Sequence, residues 1–374
     1  MNLHSQPVTH GTQTTHLTSF RQNFHGNAKS MIGIVNLGNT CFLNSCIQIL
    51  NYTFELVEIL KNNRLKENDD STLSKEWLEL YDMMWSPEVI DKVGISINPS
   101  KFVRSIQQIA EKKGRELFTG WSQNDLSEFL LFIVDCFHNS ISKSVDINIH
   151  GTPENTTDNI AIECFSMIKT MYKNEYSDIL KDFYGIYVSK ITPIIFETNS
   201  RIRPRHESIK PELFFLLDLP IPKMETPKKI TIYDCLDLMT LPETLSGENA
   251  WYNEATRQKE NALKELTFWS LPKVLIITFK RFSFENNNKN ESFIDYPLKN
   301  LDLSKYIIGY DASSYIYDLY GVCNHYGNVS GGHYTAIVNV QGEEWLHFND
   351  TQIVNISSTD VLTPYAYCLF YRKR

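Results

Sequence analysis

Residues 36–50 read Asn36-Leu37-Gly38-Asn39-Thr40-Cys41-Phe42-Leu43-Asn44-Ser45-Cys46-Ile47-Gln48-Ile49-Leu50. A Gly-Asn-Thr turn leads into apolar residues at helical spacing, so a thiol stands where a helix begins. A helix start favours the thiolate, the nucleophilic form, through its dipole and free N–H groups. By itself Cys41 reads more readily as a buried core cysteine. Far downstream, Gly331-Gly332-His333-Tyr334 supplies an imidazole. Trp345-Leu346-His347-Phe348-Asn349-Asp350 then supplies a carboxamide and a carboxylate. Cys, His and Asn/Asp in that order are the parts of a thiol acyl-transfer enzyme.

His333 is the candidate base, at the start of a strand-like run. The Gly331-Gly332 approach lets a substrate backbone come close. Asn349 or Asp350 would accept from the ring N–H and fix its tautomer. Asn36 is a candidate donor to the oxyanion that forms on a scissile carbonyl.

Outward from these motifs, residues 1–30 are polar and aperiodic and read as a flexible tail; His4, His10, His16 and His25 fall there. Helical patterns cover Cys41 to about Leu60, 74–84, 99–113, Gln123 to Phe137 and 160–172, with polar breaks at 61–72 and 140–158. Leu126, Phe129, Leu130, Ile133 and Phe137 form the buried stripe of the Gln123 helix. After Phe183 the period becomes that of strands: 186–188, 191–196, 214–219, 273–282, 315–324, 332–340, 344–349 and 367–372. Residues 286–291 read as a hairpin loop. The chain is α-rich, then β-rich, an α+β protein.

The chain has 374 residues, 42% of them hydrophobic, enough for a sizeable core and one large or two ordinary domains. Lys and Arg number 36 against 44 Asp and Glu, a net charge of −8, and no long basic stripe is present. Nucleic acid is therefore not an expected partner. Arg201, Arg203 and Arg205 read as a solvated loop. The absence of an apolar span or signal segment predicts no membrane partner and an intracellular protein, cytoplasmic or nuclear. The seven cysteines stand at 41, 46, 136, 164, 235, 323 and 368, without a CxxC pair. That is neither a disulfide framework nor a zinc ribbon.

NLGNTCFLNSCIQIL resembles the cysteine box of the ubiquitin-specific proteases, and GGHYTAIV followed by WLHFND resembles their histidine box. Ser122–Leu130 is similar to the family's Gln-x-Asp-x-x-Glu-Phe segment. FFLLDLPIP (214–222) and LPKVLIITFKRF (271–282) resemble two further family stretches. The resemblance runs in family order from Met31 to Arg372. It implies a papain-like hand-shaped fold, with a thumb over about 31–184 and fingers and palm over about 185–374. It also implies Cys41 as nucleophile, His333 as base, Asn349 as third triad member, Asp350 as a neighbour sharing the orienting or oxyanion role, and Asn36 as oxyanion donor. Gln123, Asp125, Glu128, Gly331, Gly332 and Tyr334 would bind a ubiquitin tail. As i,i+3 residues of one helix, Asp125 and Glu128 would share a face able to grip a basic peptide.

The implied activity is hydrolysis of isopeptide bonds between ubiquitin and lysine by a monomeric enzyme without a cofactor. The alternatives are a protease for a ubiquitin-like modifier and an inactive ubiquitin-binding scaffold. Many family members hold zinc in the fingers through two CxxC pairs. Here 191–196 and 250–255 carry no cysteine, so no metal is expected.

Overall fold

The computed structural model describes residues 28–194, 207–223, 229–283 and 288–374. Residues 1–27 of the expected tail, the 201–205 arginines and the expected strand residues Ile195 and Phe196 lie outside them. The first half is helical: Cys41–Asn51, Phe54–Asn62, Asp69–Met84, Ser100–Lys112, Leu126–Ile141, Thr156–Tyr172 and Asp178–Phe183. The single helix expected over 41–60 is two. Thr53 Oγ1 bonds the Ile49 carbonyl and the Tyr320 hydroxyl, each at 2.9 Å, and so holds the chain in a turn between them. The helix expected from 74 starts at Asp69, because the Asn68 side chain caps it by accepting from Ser71 N at 2.9 Å.

The helix expected from Gln123 starts at Leu126. Asp125 caps it, its carboxylate accepting from Ser127 N at 2.8 Å and Glu128 N at 3.3 Å. No helix among the described residues is long and apolar enough to cross a membrane.

The β-rich half holds an eight-stranded sheet. In spatial order its main path runs Gln352–Ile356, Glu344–Asn349, Gly331–Gln341, Ile316–Asn328, Ala366–Lys373, Val274–Phe279 and Leu216–Leu219, with Leu301–Asp302 pairing beside Ile316–Asn328. The cysteine helix (Cys41–Asn51) lies against this sheet. It is buried along its whole length, and it shares one core with Ala336, Val338, Leu346 and Phe348. At Gly321 a Cβ would stand 2.9 Å from Ile49 Cγ2, so the helix can come this close only over glycine. The half-buried Arg372 side chain of strand Ala366–Lys373 pairs with buried Glu55, Nη2 to Oε2 at 2.9 Å, and ties the sheet to the second helix.

A second, four-stranded sheet orders Ser208–Phe214, Gly185–Pro193, Ala262–Ser270 and Glu243–Leu245. Helix Thr156–Tyr172 covers one face of it through Ala161, Cys164, Ile186, Val188 and Trp269. The strand expected over 214–219 is therefore two strands in different sheets, divided at Phe215. Pro211 is tolerated inside Ser208–Phe214 because that strand is an edge. Within the expected loop 286–291, Asn288–Lys289 is a strand arm paired with Phe282–Ser283.

Candidate active site

Cys41 is the first residue of its helix and 3% exposed. The turn before it is built by Asn36, whose side-chain oxygen accepts from Gly38 N at 3.0 Å and Thr40 N at 3.2 Å. Its Nδ2 donates to Asp350 Oδ2 at 3.0 Å. Asp350 Oδ1 accepts from Asn44 Nδ2 at 2.7 Å, and the Asp350 carbonyl accepts from Ile34 N at 2.9 Å. One left-handed residue (φ 50°) thus clamps both sides of the cysteine turn. Asn44 was not foreseen. The available signal was its place one turn along the helix from Cys41.

The histidine strand (Gly331–Gln341) carries His333. Its Nε2 meets Asn349 Oδ1 at 2.7 Å, and its ring also hydrogen-bonds Cys41. With Nε2 on Asn349, Nδ1 is the nitrogen left for the thiol. The hydrogen bond with Cys41 raises His333 most, followed by that with Asn349. The charges of Cys41 and Asp350 raise it further, and despite the opposing effect of burial its pKa is pushed up to about 9. The arrangement favours the imidazolium form of His333. Cys41, His333, Asn349, Asp350 and Asn36 therefore come together. Asn349, not Asp350, holds the imidazole, while Asp350 faces the cysteine turn.

The residues expected to bind a tail divide. Exposed Gln123 bridges the two sides: its Oε1 accepts from Gly332 N at 2.8 Å, and its Nε2 donates to Asn39 Oδ1 at 3.4 Å. A Cβ at Gly331 would overlap Gln123 Oε1, and one at Gly332 would overlap the Tyr326 carbonyl and His325. These contacts within the chain already require the glycines, apart from any approach by substrate.

Asp125 and Glu128 do not lie side by side on a helix face. Asp125 is the cap, and its Oδ2 accepts from the hydroxyls of Tyr367 at 2.7 Å and Tyr334 at 3.4 Å. Tyr334 is 6% exposed, because alternate residues of its strand face the core. Glu128 is exposed. Among the described residues no group of three or more His, Cys, Asp or Glu is arranged to hold a metal. All seven cysteines are free and buried.

A family model described as Ubiquitin carboxyl-terminal hydrolase matches residues 32–371. Ubiquitin carboxyl-terminal hydrolase 2 of Homo sapiens is 32% identical over 355 residues, which cover 92% of this chain and 55% of that protein. Ubiquitin carboxyl-terminal hydrolase 4 of Saccharomyces cerevisiae (strain ATCC 204508 / S288c) is 29% identical over 377 residues, covering 91% and 39%. The chain thus spans about half the length, or less, of these relatives. A solved structure of the SAGA DUB module with Ubp8, bound to monoubiquitin, matches with a TM-score of 0.65 at 24% identity. That match covers 96% of this chain and 75% of the other, and it shows a shared fold. By the family match over nearly its whole length, the chain belongs to the ubiquitin carboxyl-terminal hydrolases.

Proposed function

We propose that this chain is a thiol isopeptidase that releases ubiquitin from lysine side chains. The observation that carries the reading is the His333 ring, held between Cys41 at a helix start and Asn349. In this reading the Cys41 thiolate attacks the carbonyl carbon of the terminal glycine, and the electron pair moves onto oxygen. The Cys41 backbone N–H, one of the free donors of a first helical turn, and the second N–H of Asn36 receive that oxyanion. His333 gives its proton to the leaving lysine amine. A water, deprotonated by His333, then hydrolyses the thioester. Asn349 keeps the ring in register throughout.

Residues 31–184 act as thumb and 185–374 as fingers and palm of one monomeric catalytic domain, with ubiquitin as partner. Gln123, Glu128 and the Gly331–Gly332 backbone line the tail's path. Asp125 and Tyr334 support that path from beneath. Membership of the family, and a structural neighbour solved with monoubiquitin, support this reading. The test is labelling by ubiquitin carrying an electrophilic C-terminus. One adduct on Cys41 is expected, and no adduct from an active-site-intact preparation overturns the assignment.

A second substrate, a ubiquitin-like modifier, is favoured by one observation. The 251–260 hairpin overlaps the 250–255 stretch, where the resemblance implies cysteines in zinc-bearing members, and it is pinned by Asn253 Nδ2 on Glu260 Oε2 at 3.0 Å and by Arg257 N on the Asn253 carbonyl at 2.7 Å. Turnover of several modifier–fluorophore conjugates side by side separates the two substrates.

A further inference from the structure

The strand that carries Asn349 (Glu344–Asn349) pairs with the histidine strand so that Ala336 faces Phe348 and Ile337 faces His347. Side chains alternate along a strand, so His333 and Thr335 of one strand share a face with His347 and Asn349 of the other. Two diagonal bonds cross that face. One is His333 Nε2 to Asn349 Oδ1 at 2.7 Å; the other is His347 Nε2 to Thr335 Oγ1 at 2.8 Å. They are parallel rungs, two residues or about 7 Å apart along the strand. The mechanism uses the first rung and leaves the second unassigned.

The second rung ends on a buried group, since Thr335 is 2% exposed. With His347 in the Nε2–H tautomer, the ring donates to Thr335 Oγ1. An added proton enters at Nδ1, so it leaves the rung intact and changes only the charge.

Among the described residues, those paired with His347 offer no carboxylate to absorb that charge. Ile337 of the histidine strand and Val354 of Gln352–Ile356 lie opposite it, and both are apolar. The short helix Ser358–Val361 packs nearby with Val361 buried; its Asp360 is exposed and accepts from Ser357 Oγ at 2.7 Å. Burial, and after it the His333 charge, hold His347 below the usual histidine range.

We propose that His347 is a positioning residue that reports acidity to the reacting pair. Neutral, it braces the strands that carry His333 and Asn349. Protonated, it repels the His333 imidazolium and returns the pair to thiol and imidazole. The inference rests on Cys41 and His333 being the reacting pair.

The experiment avoids ubiquitin altogether. Alkylation of Cys41 by iodoacetamide is followed by mass spectrometry between about pH 5 and pH 8 in the wild type, His347→Gln and His347→Leu. Gln keeps a donor for Thr335 but cannot titrate. The wild type should lose reactivity on acidification with a limiting slope of about two, as two linked protonations require. His347→Gln should show a slope of about one and react about tenfold faster than wild type at the acid end, while matching it near pH 8. His347→Leu should be several-fold slower near pH 8. A role confined to folding would move all rates and leave the slope unchanged. Superimposable wild-type and Gln profiles overturn the acid response, and equal Leu and Gln rates near pH 8 overturn the brace. If Cys41 reacts in no variant faster than an ordinary thiol, the reacting pair itself is wrong and this inference falls with it. Failure of ubiquitin labelling with these profiles intact would indict the substrate alone.

Discussion

Cys41 and His333 are held in place in different ways. The cysteine turn is fixed by side chains, above all the Asp350 carboxylate, which reaches Asn36 on one side of Cys41 and Asn44 on the other. The histidine strand is fixed by backbone, with Ile316–Asn328 paired along one edge and Glu344–Asn349 along the other. A ladder distributes its strength over many bonds, whereas a clamp concentrates it in one residue. Single side-chain changes should therefore damage the thiol's placement far more than the imidazole's.

The largest effect tests the proposed nucleophile itself. Cys41→Ala should abolish turnover of ubiquitin conjugates while leaving ubiquitin binding largely intact, since only the attacking atom is removed. Retained turnover would end the mechanism. Next comes the clamp. Asp350→Ala removes two charge-assisted hydrogen bonds worth about 1.5–3 kcal/mol each. It should cut both kcat/KM and iodoacetamide labelling of Cys41 roughly a hundredfold. If labelling is unchanged, the cysteine side does not depend on the clamp and the contrast between the two sides collapses.

A smaller effect separates the acidic pair. Glu128→Ala should lower kcat/KM on ubiquitin conjugates roughly tenfold through one lost charged contact. It should spare iodoacetamide labelling. Asp125→Ala should also lower the melting temperature, since loss of a helix cap costs about 1 kcal/mol and here releases two tyrosine hydroxyls as well. Identical behaviour of the two variants would return them to a shared surface role.

The mildest test is alkaline pH. The folded-state pKa of His333, about 9, lies above its ordinary value near 6.5. Its contribution to stability is therefore complete below pH 6.5 and is lost as pH rises through about 9. The alkaline limb of kcat/KM should fall in the same range. In Cys41→Ala the His333 titration, followed by NMR, should drop back towards the ordinary range.

The site was legible where chemistry is local to a motif. Cys41, His333 and Asn349 were readable because thiol, imidazole and carboxamide each sit beside turn or strand signals. Asp125 was misread because the amphipathic stripe from Leu126 to Phe137 drew the helix start back to Gln123. Yet an Asp three residues before Glu128 is itself a start signal. The clamp at Asp350 could not be read, since Asn36 and Asn44 reach it only through a long-range fold. In the β half, Leu216–Leu219 looked continuous with Phe214 because both are apolar, and only the sheets reveal the break. Ala262–Ser270 was missed because Lys264 and Glu265 interrupt its apolar pattern. Helix Ile232–Thr240 was passed over despite a full capping box at Thr231 and Asp234.

The place of strand Ala366–Lys373 bears on how the protein comes into being. It lies inside the large sheet, between Ile316–Asn328 and Val274–Phe279, yet it follows every other described strand of that sheet in the chain. Without these residues the two neighbouring strands have an open seam between them. Arg372 must then find Glu55, more than three hundred residues upstream. Cys41 thus precedes in the chain the strand that closes the sheet supporting its helix. A chain cut before residue 366 would carry Cys41 without the closed sheet behind its helix.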